Sequence, residues 1–266
     1  MDVERYYDEK APFYDGEYKT PFFQLYKEIT WDDIKRFLPE SGVILDAGGG
    51  TGEWAIQLAE LGYSIVLTDI SRGMLRQARL KLEERNIHTV ELKRADITNM
   101  SCLPDETFDM ALVQGDPLSY CGDAEKAAKE VHRVLKPGCF CIASVDSMYS
   151  AVATFIASNR VDELEDFLRT QSASFRAGFT IHYFTPESLR KLFEDAGFEV
   201  VRIRGKPVFL SVIPREIAHN LLQDKKTFEK ILELELRYCD DTSLVGFARH
   251  LEIVGKKREK SQCPGI

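Results

Sequence analysis

No apolar run in the 266 residues approaches the length of a membrane span. The first residues, MDVERYYDEK, are acidic and carry no apolar stretch, so no secretory signal is expected. Positive charge is in deficit: 35 Lys and Arg against 43 Asp and Glu leave a formal net charge of -8. A surface of that sign repels a phosphate backbone, so nucleic acid is not an expected partner. The six cysteines form no CxxC pair and no zinc-ligand spacing, and no H-x-x-x-H or H-x-x-E cluster occurs, so no metal site is expected. Cys139 and Cys141 alternate as strand residues do and read as small core residues. There is no internal repeat and no low-complexity segment. With 44% hydrophobic residues the chain has material for a sizeable core, and a reducing cytoplasm is its expected compartment.

What is present is an alternation. VILDA, SIVLTD, HTVELKRAD, FDMALVQG and CFCIASV read as strands, separated by segments with apolar residues at helical spacing. Ser71 can cap the second of these helices, and helix 123–135 leads through the turn Lys136-Pro137-Gly138 into the fifth strand. Apolar strands alternating with helices predict a parallel sheet covered on both faces, wound by right-handed crossovers. The rhythm loosens over 147–183, which reads as an inserted lid with two short helices. Thr185-Pro186-Glu187 starts another helix, ending at Gly197, before the strand FEVVRIRG. A polar helix is expected over about 214–238, within a second substrate-side insertion at 206–245. The last strand is GFARHLEIVGKK, and 258–266 is a charged tail. Residues 1–38 precede the first strand and read as an aromatic, helical cap. Residues 1–257 are thus expected to form a single domain.

The stretch VILDAGGGTGEWA places four glycines within 47–52, between a strand and a helix. Such a turn brings a ligand against bare backbone N–H groups. A dinucleotide requires G-x-G-x-x-G, but Glu53 occupies the third glycine position, where a carboxylate would face a phosphate. The glycines instead fall at Gly48, Gly50 and Gly52, after the acid Asp46. This spacing resembles the first motif of the class I S-adenosylmethionine (SAM)-dependent methyltransferases, in small-molecule domains of the type 11 and type 25 kind. Asp69 ends the second strand and can accept from both ribose hydroxyls, as in either ligand class. The run Asp69-Ile70-Ser71-Arg72-Gly73-Met74-Leu75 resembles the family's second motif, which implies that Ile70 and Met74 flank the adenine. Met74 as core filler is the plain alternative. Asp96 and Ile97, after the third strand, are implied near the adenine amino group and ring, with a turn or helix cap as the other role of Asp96. Gln114 and Asp116 follow the fourth strand and are implied near the methyl group or its acceptor. The resemblance covers 41–145 strongly and 184–204 weakly. It implies an α/β, Rossmann-like doubly wound sheet of seven strands, the last antiparallel between the fifth and sixth.

Methyl transfer is an in-line displacement, and positioning supplies much of its rate. A base is needed only where the acceptor must lose a proton. The candidates are Asp116, His182 and a tyrosine of the N-terminal segment, with a satisfied surface or packing histidine as the plain alternative for His182. His88, His132, His219 and His250 have no partner pattern and read as structural. Tyr7 and Tyr14 belong to a Y-Y-D…Y-D segment that resembles one folding over the cofactor in related enzymes, where aromatic rings favour a sulfonium. An amphipathic helix packed on the sheet explains them equally. The expected function is methyl transfer from SAM to a small-molecule acceptor. The rivals are an NAD(P)-dependent oxidoreductase and a SAM-binding protein without turnover. A nucleic-acid amino-methyltransferase would carry D/N-P-P-Y/F where this chain reads DPLS, Asp116 to Ser119. The acceptor and the oligomeric state are not encoded in any motif. Asp69→Ala is expected to weaken SAM while leaving the ligand-free fold undisturbed.

Overall fold

The structure, a computed structural model, describes residues 2–175 and 177–259. Its strands are β1 (Val43–Ala47), β2 (Ser64–Asp69), β3 (Val90–Arg94), β4 (Phe108–Val113), β5 (Leu135–Asp146), β6 (Ser172–Ser174), β7 (Thr180–His182), β8 (Phe198–Lys206) and β9 (His250–Lys257). Seven of them form one sheet in the order β3-β2-β1-β4-β5-β9-β8. β1 pairs in parallel with β2 and β4, and β4 with β5. β9 runs antiparallel to both β5 and β8. This is the seven-stranded, doubly wound arrangement expected, with the last strand between the fifth and sixth.

Period-two alternation divides the strand residues between two cores. Leu45, Val66, Ala111, Val113, Cys141 and Ile253 lie on one face, beneath Val131 and Val134 of helix Ala124–Val134 and Leu189 and Phe193 of helix Pro186–Asp195. Ile44, Ile65, Leu67, Met110, Ile142 and Val254 lie on the other, beneath Ile34 of helix Pro21–Phe37, Ala55 and Leu58 of helix Glu53–Glu60 and Ala78 of helix Arg72–Glu84. Helix starts follow the sequence signals. Ser71 accepts from the Met74 N–H, and Thr185 forms a capping box with Ser188.

Four local details differ from expectation. The Lys136-Pro137-Gly138 turn lies inside β5, as a bulge where the register with β4 jumps between Phe108 and Met110. The polar helix is two, Arg215–Leu221 and Lys225–Tyr238, because Asp224 caps a new start. Residues 147–183 hold helices Met148–Ala157 and Leu164–Thr170, but also the hairpin β6–β7. β9 starts at His250 rather than Gly246, after a short turn of 3-10 helix over Val245–Phe247. Of the charged tail, 260–266 lies outside the described residues. Among the described residues, no helix is long and apolar enough to cross a membrane.

The strand FEVVRIRG carries more than a pattern of apolar residues. Arg204 and Lys206 of β8 are buried beside Glu252 of β9 and Asp33. Arg204 Nε lies 2.7 Å from Asp33 and 3.0 Å from Glu252, and Lys206 Nζ lies 2.8 Å from Glu252. Buried charges of this kind are stable only as a mutually paired set. Lys206 also donates to Thr30 and Gln114, which ties the helical cap to the end of β4.

Candidate functional site

A cavity of about 1870 Å³ opens at the carboxyl edge of the sheet. That exceeds the roughly 300–1,000 Å³ common for a single small ligand. Its wall begins at the glycine turn after β1. The N–H groups of Gly48 and Gly49 donate to the Thr68 carbonyl at 2.8 and 3.0 Å, which folds the turn back over β2. At Gly48, with φ of +71°, a Cβ would come within 2.6 Å of Pro117. At Gly50 a Cβ would meet no protein atom within 4 Å, so this part of the turn borders open cavity. Gly52 is buried, caps helix Glu53–Glu60 and packs towards Ala78 and Leu67; it does not line the cavity.

Asp46 also stays outside the cavity lining. Its carboxylate lies beneath the turn, where a Cβ on Gly49 would be 2.6 Å from Oδ2. Neither oxygen has an aligned hydrogen-bond partner, and burial pushes its pKa up to about 7 against the pull of the Ala55 N–H. Asp69 does line the cavity. Its Oδ2 accepts from the Gly50 N–H at 2.9 Å, and its Oδ1 accepts from the Ser71 N–H at 2.8 Å. Burial raises its pKa to about 6 despite these two bonds. The residue therefore staples the first motif to the second, and the expectation that its loss leaves the ligand-free fold undisturbed is corrected.

Ile70, Met74 and Ile97 line the next part of the wall, with Asp96 beside them. Asp96 Oδ1 accepts from both the N–H and the hydroxyl of Thr98, so the turn role is present. Among the described residues nothing donates to Oδ2.

The N-terminal segment covers this wall and is fastened to both motifs. Asp8 Oδ1 accepts from the Ser71 hydroxyl and the Gly73 N–H at 2.6 and 2.7 Å. Asp15 accepts from Thr51 and pairs with Lys81 at 2.8 Å. A Cβ on Gly73 would be 2.9 Å from the Asp8 carbonyl, so that glycine permits the docking. Tyr7 and Tyr14 line the cavity with their rings 6.3 Å apart, and Tyr7 also meets Tyr120. The second roof segment joins the first through aromatic rings. Tyr6 lies 5.4 Å from Phe175 and 5.5 Å from Phe179, on either side of the β6–β7 turn. His182, at the end of β7, lines the cavity from this roof.

The far floor is built from the ends of β4, β5 and β9. Gln114 is buried, with its amide donating to the Ile142 carbonyl and accepting from Lys206, so both ends are engaged by protein. Asp116 has φ of 66°, a left-handed conformation uncommon for a residue with a side chain. It is held there by its own N–H and that of Gly115, both donating to Ser144 Oγ. Its Oδ2 stands 2.9 Å from Nδ1 of His250, at ion-pair distance although off the line of an aligned hydrogen bond. Its Oδ1 is buried without a partner. Burial alone raises the Asp116 pKa, but the His250 ring and the Lys206 ammonium overcome it and hold the pKa below the usual value. Asp146 lies 3.8 Å from the same His250 nitrogen and accepts from the Tyr120 hydroxyl at 2.8 Å. Burial and the Asp116 charge raise its pKa to about 6.

His250 thus stands in the site, not among the structural histidines where the sequence alone put it. Asp146 was missed as well. Each is in register with the other across the β5–β9 ladder, a pairing no linear motif encodes.

Residues 44–138 match the family described as the methyltransferase domain. The sheet order, with its antiparallel strand next to β5, is that of the class I enzymes. The chain carries a class I SAM-dependent methyltransferase domain. It is a SAM-dependent methyltransferase, and SAM is its cofactor. It is 25% identical over 250 residues to the tRNA 5-carboxymethoxyuridine methyltransferase of Escherichia coli K12, covering 90% of this chain and 91% of that one. It is 28% identical over 213 residues to the demethylmenaquinone methyltransferase of Listeria welshimeri, covering 75% of this chain and 89% of that one. A SAM-dependent methyltransferase structure from Methanosarcina mazei superposes with a TM-score of 0.61 at 24% identity, over 86% of this chain and 98% of that one.

The residues present suit this cofactor. The open space beside Gly50 leaves room at the turn for the methionyl end. Asp69 has lone pairs left for ribose hydroxyls after its two backbone bonds. The apolar side chains of Ile70, Met74 and Ile97 form a wall to which a purine can stack, and the tyrosine rings of the cap suit a sulfonium.

Proposed function

We propose that the methyltransferase acts on a small-molecule acceptor held between the Asp116–His250–Asp146 floor and the aromatic roof. The observation that carries this reading is the cavity itself, which has volume beyond one ligand and a roof made by two segments of the same chain. We assign Asp69 to the ribose, Ile70, Met74 and Ile97 to the adenine, and the turn at Gly48 and Gly50 to the methionyl end. Asp46 acts through the turn that it underlies, and Gly52 through packing.

SAM supplies an electrophilic methyl carbon on a sulfonium, and it leaves as a neutral thioether. The chain's part is to bind, orient and deprotonate. The roof excludes water, which strengthens electrostatic interactions inside. Asp116 fixes the His250 ring, and the pair takes the proton that an acceptor hydroxyl, thiol or ammonium releases. His182 approaches from the roof and has no carboxylate partner among the described residues, so we give it a role in acceptor contact rather than as the base.

A second reading is a tRNA acceptor, favoured by the similarity to the Escherichia coli tRNA enzyme over most of both chains. The formal charge of -8 supports the small molecule instead. The test is release of S-adenosylhomocysteine from the purified protein, with SAM, against a fractionated metabolite extract and against total tRNA from cells lacking the protein. Turnover confined to the tRNA arm would replace the first reading by the second.

A further inference from the structure

The strands β1, β4, β5 and β9 are consecutive in the sheet, so the start of β9 lies about 14 Å across the carboxyl edge from the glycine turn. Two arginines line the cavity there, Arg215 and Arg249. Neither has an ion-pair or hydrogen-bond partner for its guanidinium among the described residues. The Arg215 guanidinium stacks over the rings of Phe22 and Phe23, at 5.6 and 5.4 Å. Arg249 is fixed at its backbone: its N–H donates to Ser211 Oγ at 2.8 Å, and its carbonyl accepts from the Ser147 N–H at 3.2 Å. Its side chain remains exposed towards the cavity. Although it keeps contact with solvent through the cavity, the crowding walls and the nearby Arg215 charge pull its pKa below the usual value, with Asp146 acting in the opposite direction.

The negative groups nearby do not balance this pair. Asp116 faces His250 and Lys206. Asp146 is engaged by Tyr120 and is easily protonated, with its pKa near 6. Glu216 shares the wall but makes no ion pair with either arginine among the described residues. His219, also on the wall, is taken up by Gln223 at 2.9 Å. Elsewhere arginines such as Arg133, Arg202 and Arg204 sit against carboxylates. The two guanidinium charges repel each other; Asp146 offsets this only for Arg249 and only while ionised, and an oxyanion between the arginines relieves the rest. The planar guanidinium fork matches carboxylate and phosphate oxygens.

We propose that the acceptor of this methyltransferase carries an oxyanion, carboxylate or phosphate, that Arg215 and Arg249 hold next to the Asp116–His250 pair. This rests on the reading of the cavity as the acceptor site. It narrows the substrate to a small molecule with an anionic group at one end and the methylated atom towards β4. Phe22, Phe23 and Tyr26 give its apolar body a wall.

The test uses the full chain saturated with S-adenosylhomocysteine, titrated at fixed ionic strength with phenylacetate, phenyl phosphate and phenethylamine. The parent is expected to bind at least one of the two anions and not the amine, and the better anion tells carboxylate from phosphate. Arg215→Gln and Arg249→Gln should each weaken the anion by about 10-fold, the loss of one charge-assisted contact. Both variants should keep the parent affinity for S-adenosylhomocysteine, which shows that the fold and the cofactor site are intact. Equal anion binding by parent and variants, binding of neither anion, or preference for the amine would each overturn the proposal. So would a total-tRNA arm in which the arginine variants lose binding while neither small anion binds. Failure of the underlying reading looks different: S-adenosylhomocysteine would be released only with tRNA in the turnover assay, whatever the small anions do.

Discussion

Nδ1 of His250 lies 2.9 Å from Oδ2 of Asp116, a contact between the first residue of the last strand and the turn after the fourth. The carboxylate is buried and its other oxygen has no partner, so the pair is poised for a proton and a polar group from elsewhere. His250→Gln and Asp116→Asn are each expected to lower turnover about 10²–10⁴-fold for an acceptor that must lose a proton. The Kd for SAM should stay within about threefold of the parent, a difference below 1 kcal/mol. Single-turnover rates and calorimetry measure the two quantities. Parental turnover in both variants would remove the pair from the chemistry.

Asp69 predicts a double effect. Asp69→Ala should weaken SAM by roughly 2–4 kcal/mol through lost ribose contacts. It should also destabilise the ligand-free protein by about 1–3 kcal/mol, since the Gly50 and Ser71 N–H groups lose their acceptors. Asp69→Asn keeps one acceptor oxygen and should fall between on both scales. Titration calorimetry and urea denaturation separate the effects. An unchanged SAM affinity in Asp69→Ala would remove the ribose assignment.

The raised pKa values give pH effects of opposite sense. Asp69 titrates near 6 and must be ionised to accept from two hydroxyls, so SAM affinity should fall as pH drops through about 6. One unit below that value the expected loss is about 10-fold. Asp46 titrates near 7 when folded. Its unfolded value is about 3.9, so the folded chain holds its proton more tightly, and its contribution to stability falls as pH rises between the two. Asp46→Asn should therefore gain stability relative to the parent from pH 4 to pH 7, as read by denaturant titrations across that range. A difference that stays constant with pH would show that Asp46 remains ionised when folded.

The roof predicts a protection pattern. Tyr6 bridges the first helix, Val3–Lys10, to Phe175 and Phe179, and Asp8 bridges it to Ser71 and Gly73. SAM binding should slow amide exchange in both 3–17 and 172–182. Asp8→Ala should reduce that protection and weaken SAM by about 1–3 kcal/mol, the range for unpairing buried donors. Unchanged exchange in both segments, with tight SAM binding, would show that the roof does not respond to the cofactor.

The sequence by itself determined the sheet, the glycine turn and the cavity wall after the second and third strands, because those features are local. Strand and helix periods, caps such as Ser71 and Thr185, and the spacing from Gly48 to Asp69 are all set by neighbours along the chain. Tertiary structure alone decided which of those residues face the cavity. Asp46 and Gly52 share the motif with Gly50, yet turn geometry sends one beneath the loop and the other into helix packing. It also decided the acceptor end. Asp146, Arg215 and the Arg249-His250 pair come from separate segments that β5, the second insertion and the antiparallel β9 carry to one edge. No spacing rule links them, since their proximity arises from strand order and from the burial of the Arg204, Lys206 and Glu252 charges that fix β8 against β9.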